Sequence, residues 1–183
     1  MATSKQPLSL KGRALALLAQ REHSEVELRR KLLRHARAEA AAKAVQAGAG
    51  ASAEQDGAAE DDMARVDAVI DWLRTHNYLS EQRFVESRMH ARTARYGNLR
   101  IRQELAQHGL SLPADAAQAL KDSEADRAAA VWERKFGRPA ADAAGRARQA
   151  RFLAQRGFSP EVISRVLRQA GRAPAEPAEP ESD

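Results

Sequence analysis

Apolar residues recur along this chain at spacings of three and four, and no segment makes a convincing strand. Leu10, Ala14, Leu17, Leu18 and Arg21 share one face and predict a first helix over residues 10–21. Ser24 with Glu27 three residues later reads as a capping box opening a second helix, with Leu28, Leu32 and Leu33 turned inward. Val66, Val69, Ile70 and Leu73 predict a third, ending near Asn77. Ser80 caps a fourth, in which Val85, Met89, Arg92 and Tyr96 fall on one stripe. Asn98 caps a fifth, with Ile101 and Leu105 buried and Gly109 as its stop. Pro113 suits the first turn of a sixth that reaches Lys121. Ser123 and Asp126 form another box ahead of Ala125, Ala128, Ala129, Trp132 and Phe136, and Gly137 closes that seventh helix. An eighth covers about 142–156, and Ser159-Pro160 opens a ninth carrying Val162, Ile163, Val166 and Leu167.

The helices repeat in threes. Leu28-Arg-Arg-Lys-Leu32, Ile101-Arg-Gln-Glu-Leu105 and Gln149-Ala-Arg-Phe-Leu153 occupy the middle helix of successive triplets. The second and third continue alike, as Ala106-Gln-His-Gly109-Leu110 and Ala154-Gln-Arg-Gly157-Phe158. In each the glycine supplies a left-handed stop, and the apolar residue after it packs back on the helix end. A three-helix unit of this size cannot bury its apolar face alone. The expected fold is therefore all-α, with three tandem three-helix repeats stacked into an elongated, curved body. The expected divisions are a flexible start (1–9), repeats over 10–76, 77–121 and 122–171, and a disordered acidic Pro-rich tail (172–183). A disordered Ala/Gly/acidic insertion at about 38–62 interrupts the first repeat, although Ala38–Val45 could prolong the helix before it.

Composition narrows the chemistry. Cysteine is absent, which removes disulfides, thiolate-bound zinc, iron–sulfur clusters and thiol nucleophiles and fits a cytoplasmic location. No apolar run approaches membrane-spanning length, and residues 1–7 lack the apolar core of a secretory signal. The chain carries a net charge of +5, unevenly spread. Residues 37–62 hold two basic against six acidic residues, and 172–183 one against four, so the remaining body is far more basic than the total. Such a body attracts polyanions.

No enzymatic constellation emerges. The five histidines, His23, His35, His76, His90 and His108, lack metal-site spacing, and Asp67 and Asp71 lie one helical turn apart without a histidine or phosphate loop nearby. Neither a catalytic residue nor a cofactor is expected. The arginines carry more. Six lie between Arg83 and Arg102 against Glu86 alone. Arg88, Arg92 and Arg95 fall at i, i+4, i+7, a row along the fourth helix that can meet successive phosphates or acidic side chains. Arg100 and Arg102 flank it. Arg29 and Arg30 on the second helix, and Arg148, Arg151 and Arg156 on the eighth, are secondary candidates. Trp72, Trp132, Phe136 and Phe158 sit at core-periodic positions, whereas Tyr78 and Tyr96 fall at more open junctions. The glycine-turn helix pairs also have helix-turn-helix character. Their second helices open on Pro113-Ala-Asp-Ala-Ala and Pro160-Glu-Val-Ile, which offer almost no base-edge donors, so non-specific contact is favoured over operator recognition.

Four stretches together resemble the bacterial RecX family: ALALLAQREHSEVELRRKLLRHA (14–36), VDAVIDWLRTHNYLSEQRFVESRMHAR (66–92), YGNLRIRQELAQHGL (96–110) and RFLAQRGFSPEVISRVL (151–167). They extend over most of residues 10–170. The resemblance implies three tandem three-helix repeats and a non-enzymatic partner of the RecA filament on single-stranded DNA, inhibiting its ATP hydrolysis, strand exchange and coprotease action. The DNA contact is expected to be non-specific and salt-sensitive, and the protein a monomer without a membrane partner. A stand-alone DNA-binding regulator using the helix-turn-helix-like pairs is the alternative. The insertion at 37–62 and the acidic tail depart from the family pattern.

Overall fold

The computed structural model describes residues 8–46 and 55–172. Among these residues it has nine helices and no strand: α1 (Leu10–Leu18), α2 (Glu25–Gln46), α3 (Gln55–Thr75), α4 (Glu81–Thr93), α5 (Asn98–Ala106), α6 (Ala114–Asp122), α7 (Glu124–Lys135), α8 (Ala143–Gln155) and α9 (Pro160–Ala170). Two compact units divide the chain. One runs up to Ser87 and includes His108–Leu110; the other comprises Arg88–Gln107 and the chain from Ser111 onward. The anticipated tail and residues 1–7 lie outside the described residues. The insertion is a correction. Helix α2 continues to Gln46, as the reading of Ala38–Val45 allowed, and α3 begins at Gln55, so residues 55–62 are helical where disorder was expected, while 47–54 lie outside the described residues. Its alanines are strong helix formers, and Asp62 is buried against Arg65 at 3.1 Å.

In the first unit α1, α2 and α3 enclose Ala14, Leu28, Leu32, Ala36, Val66, Ile70 and Leu73, all fully buried. Each leucine contributes on the order of 2 kcal/mol by leaving water. Ser9 caps α1 by accepting from the Gly12 N–H at 3.1 Å, and α1 ends at Leu18, short of Arg21. Ser24 caps α2, its Oγ accepting from the Glu27 N–H at 3.1 Å. The reciprocal half of the box is missing, because the buried Glu27 carboxylate pairs with Arg21 and with Lys31 (3.2 Å). Burial works against that carboxylate's charge, but the Arg21 and Lys31 hydrogen bonds outweigh it and hold its pKa at about 2. His23 is almost wholly buried beside it. Its Nδ1 donates to the Arg21 carbonyl at 2.9 Å, so Nε2 accepts from Lys31 Nζ, also at 2.9 Å. Desolvation, with the positive Arg21 and Lys31 nearby, pushes the imidazole pKa below its ordinary value.

Helix α3 ends in a Schellman turn: Asn77 has φ 58°, the Tyr78 N–H donates to Leu73 O at 2.9 Å and the Asn77 N–H to Arg74 O at 3.0 Å. Ser80 then caps α4 by accepting from the Arg83 N–H, and Phe84 joins Val85 as a buried position that the stripe through Val85 and Met89 does not include.

In the second unit Ala128, Val131, Trp132, Leu153, Phe158, Ile163 and Val166 form the core beneath α7, α8 and α9. The repeat is visible in the buried residues of the middle helices: Leu28 and Leu32, Ile101 and Leu105, Gln149 and Leu153. Gln149 is tolerated at an apolar position because its Oε1 accepts from Trp132 Nε1 at 3.0 Å and its Nε2 donates to Arg138 O at 3.1 Å. Gly109 and Gly157 have φ +72° and +81°, the left-handed stops expected after α5 and α8. Two caps differ from expectation. Gly97, not Asn98, occupies the N-cap of α5, where the Asn98 N–H donates to buried Glu124 Oε1 at 3.0 Å. Ser123 makes no box with Asp126; its hydroxyl donates back to Ala119 O at 2.8 Å.

Candidate polyanion-binding site

Backbone approach sets the geometry of the strongest basic site. The turn before α5 lies directly against the turn after α8. The Gly97 N–H donates to Arg156 O at 2.9 Å and the Leu99 N–H to Gly157 O at 3.1 Å. A Cβ on Gly97 would come within 2.2 Å of Gly157 O, so only glycine permits this closeness. Arg127 on α7 fixes the same turn from the other side. Its guanidinium donates to Tyr96 O at 2.8 Å, Leu120 O at 2.9 Å and the Asn98 side-chain oxygen. Burial lowers its pKa below the ordinary guanidinium value, leaving it a cation that serves the backbone.

The clasp places Arg95 and Tyr96 beside Arg156. Together with Val131, Arg134 and Lys135 of α7 and Phe152 of α8 they line a concavity of about 400 Å³. Among the described residues, four cations border it and no carboxylate does. None of Arg95, Arg134, Lys135 and Arg156 forms an ion pair among the described residues. Arg156 is set by packing: its guanidinium lies 4.3 Å from the Phe152 ring centre, and its Nε is buried with no hydrogen-bond partner among the described residues. Phe152 is itself braced edge-on by Phe136, centre to centre 5.2 Å. The arrangement can hold an anion by charge and by guanidinium forks, between two aromatic walls that reduce competition from water. Lys135 also borders a neighbouring concavity with Arg138 and Arg148, where Asp142 is the one acid.

The predicted arginine row is only partly assembled. Helix α4 ends at Thr93, so Arg95 lies in the following turn and not on the helix with Arg88 and Arg92. Arg92 Nε donates to Glu104 at 2.8 Å, and Arg100 reaches the same carboxylate at 3.5 Å. Both guanidiniums also approach the Tyr96 ring, at 5.5 and 5.0 Å. Arg88 is half-buried, and Arg102 is exposed on α5. Of the secondary candidates, Arg29 is committed to Asp67 at 2.8 Å and Glu25 at 3.0 Å, and the Asp67 hydrogen bond raises its pKa further. Arg30, Arg148 and Arg151 are exposed, and Arg156 joins the concavity. The sequence reading missed Arg134 and Lys135, two charges beside Glu133 whose importance comes from neighbours distant in sequence. It also missed Arg127. Among the described residues, no three potential ligands cluster as a metal site, and no helix is long and apolar enough to cross a membrane.

Comparison with known proteins bears on the whole chain. Residues 80–120 match the family model described as the RecX second three-helix domain, and residues 122–167 that of the third. Proteins named regulatory protein RecX are similar throughout. That of Ralstonia pickettii (strain 12J) is 46% identical over 169 residues, 91% of either chain. That of Ralstonia nicotianae is 45% identical over 93% of either chain. The Pseudomonas entomophila protein is 40% identical over 88% of this chain and 91% of its own. Helices in threes, repeated middle-helix leucines and relatives of this similarity agree: the chain belongs to the RecX family of regulatory proteins.

Proposed function

We propose that this chain is a cytoplasmic, monomeric binding protein that lies along the RecA–single-stranded DNA filament and restrains ATP hydrolysis, strand exchange and coprotease activity. Its relatives are named regulatory proteins, and its surface offers the means of engaging an anionic assembly. The observation that carries the reading is the concavity bordered by Arg95, Arg134, Lys135 and Arg156, four cations with no carboxylate among its lining residues. Like charges gathered in one place repel unless an external anion answers them. Arg88, half-buried on α4, and Arg102, exposed on α5, are further candidates for the contact. Arg92 and Arg100 contribute less, because Glu104 already neutralises much of their charge. A protein seated on the filament would obstruct incoming duplex DNA and the subunit movements coupled to ATP turnover.

The test is RecA ATP hydrolysis on single-stranded DNA, measured with increasing amounts of this protein. The rate should fall as the protein is added. An unchanged rate at every ratio, with the protein shown to be folded, overturns the reading. A stand-alone regulator would instead bind duplex DNA selectively without RecA and keep its affinity at moderate salt. The first turns of α6 and α9, with Asp115 and Glu161 as their charged residues, are poorly suited to that role.

A further inference from the structure

We propose that the concavity between the α4–α5 turn, α7 and α8 is a phosphate subsite for single-stranded nucleic acid, so that this part of the molecule holds DNA and not RecA. The inference rests on the reading above for its biological setting, but its chemistry stands on the site itself. Cations enter from three separate segments: Arg95 from the turn, Arg134 and Lys135 from α7, and Arg156 from the end of α8. A phosphodiester presents two charged oxygens, each able to accept from more than one donor, so cations arriving from several segments can share one phosphate. Arg156 is pre-oriented. Contact with Phe152 holds its guanidinium, and the buried Nε has no internal partner, so no ion pair must break before a ligand binds.

About 400 Å³ accommodates a nucleotide's phosphate and sugar, and a flexible single strand can turn one phosphate inward. A duplex backbone is stiffer, so adapting it to donors from three segments costs deformation energy that a single strand does not incur. The Tyr96 and Phe152 rings already carry Arg92, Arg100 and Arg156 against them, so they serve as walls that support guanidiniums and not as open faces for a base.

The experiment is fluorescence anisotropy of a labelled oligothymidylate with the full chain, without RecA, at several salt concentrations. Wild type should bind with an affinity that falls steeply with salt, by about 0.7 in log–log slope for each phosphate neutralised. Arg134→Ala/Lys135→Ala should weaken binding by about tenfold or more and flatten that slope by roughly one phosphate's worth. Arg156→Lys keeps the charge but loses the fork, and should weaken binding several-fold. Lys121→Ala, which removes one exposed charge on α6, should bind like wild type. Arg134 and Lys135 are exposed, and circular dichroism verifies that their replacement leaves the fold intact. Wild-type affinity in the double variant overturns the proposal, as does polyglutamate displacing the oligothymidylate as well as unlabelled oligothymidylate does. RecA ATP hydrolysis is read separately with the same variants. Loss of DNA binding with inhibition retained supports the DNA assignment and puts the RecA contact elsewhere. Loss of inhibition with DNA binding intact overturns the assignment and leaves the family reading standing.

Discussion

At the scale of single residues, Glu27 and His23 make the first unit sensitive to acid, and both act in the same direction. The folded Glu27 carboxylate keeps its charge down to about pH 2, whereas the unfolded one takes a proton near 4.5. Its stabilising contribution is therefore complete above pH 4.5 and is lost as pH falls towards 2. His23 is held neutral below its ordinary 6.5, so under acid conditions the unfolded chain binds a proton that the folded one refuses. Urea unfolding followed by circular dichroism should show stability declining as pH drops below 6.5 and declining again below 4.5. Glu27→Gln should remove the lower limb and cost about 3 kcal/mol at neutral pH, because Arg21 and Lys31 lose their carboxylate. Sequence pattern placed Glu27 three residues after a capping serine and assigned it the capping role. Its competing partners, Arg21 before the helix and Lys31 one turn on, are both near in sequence, yet periodicity has no means of ranking three donors for one carboxylate.

Among the elements, the middle helices were the most legible. Leu28, Leu32, Ile101, Leu105 and Leu153 recur in register, and all five are buried. The glycine stops were legible too, because a left-handed residue followed by an apolar one is a local pattern. What escaped was any feature made by two turns together. Gly97 reads as an ordinary loop residue, whereas its role is to let the backbone at 97–99 touch that at 156–157. Gly97→Ala should accordingly destabilise the second unit by about 3 kcal/mol or more, since the Cβ would overlap backbone atoms that cannot move aside. Thermal unfolding checks it, and a change below about 0.5 kcal/mol would contradict the packing described. The same blindness explains the arginine row. Helical periodicity carried α4 through to Tyr96, but the helix stops at Thr93, and Arg95 turns to residues that lie more than thirty positions further along. The reverse error occurred at 55–62, where acidic, alanine-rich composition suggested disorder although alanine favours helix, whereas the prolongation of α2 through Ala38–Val45 was open from the sequence.

For the whole molecule, charge is the property that sequence determines most directly. The net +5 includes four acidic residues beyond position 172: Glu176, Glu179, Glu181 and Asp183. Ending the chain at Arg172 removes them and makes the protein more cationic without touching a described helix. Association with single-stranded oligothymidylate should then be faster and tighter at low ionic strength, and the advantage should shrink towards 0.5 M salt as screening shortens the reach of the missing charges. Stopped-flow association at two ionic strengths measures it, and equal rates for the two chains would show that those carboxylates exert no field at the binding face.

The contact between Gly97 and Arg156 also has a consequence for biosynthesis. Ribosomes release a protein from its amino end, so α1 to α3 can settle while the later helices are still untranslated. Arg95 must wait, since the segment against which its turn is pinned emerges some sixty codons later. A nascent chain tethered near its own messenger RNA, a polyanion in great excess, thus lacks the assembled phosphate pocket until residues 156–157 have emerged.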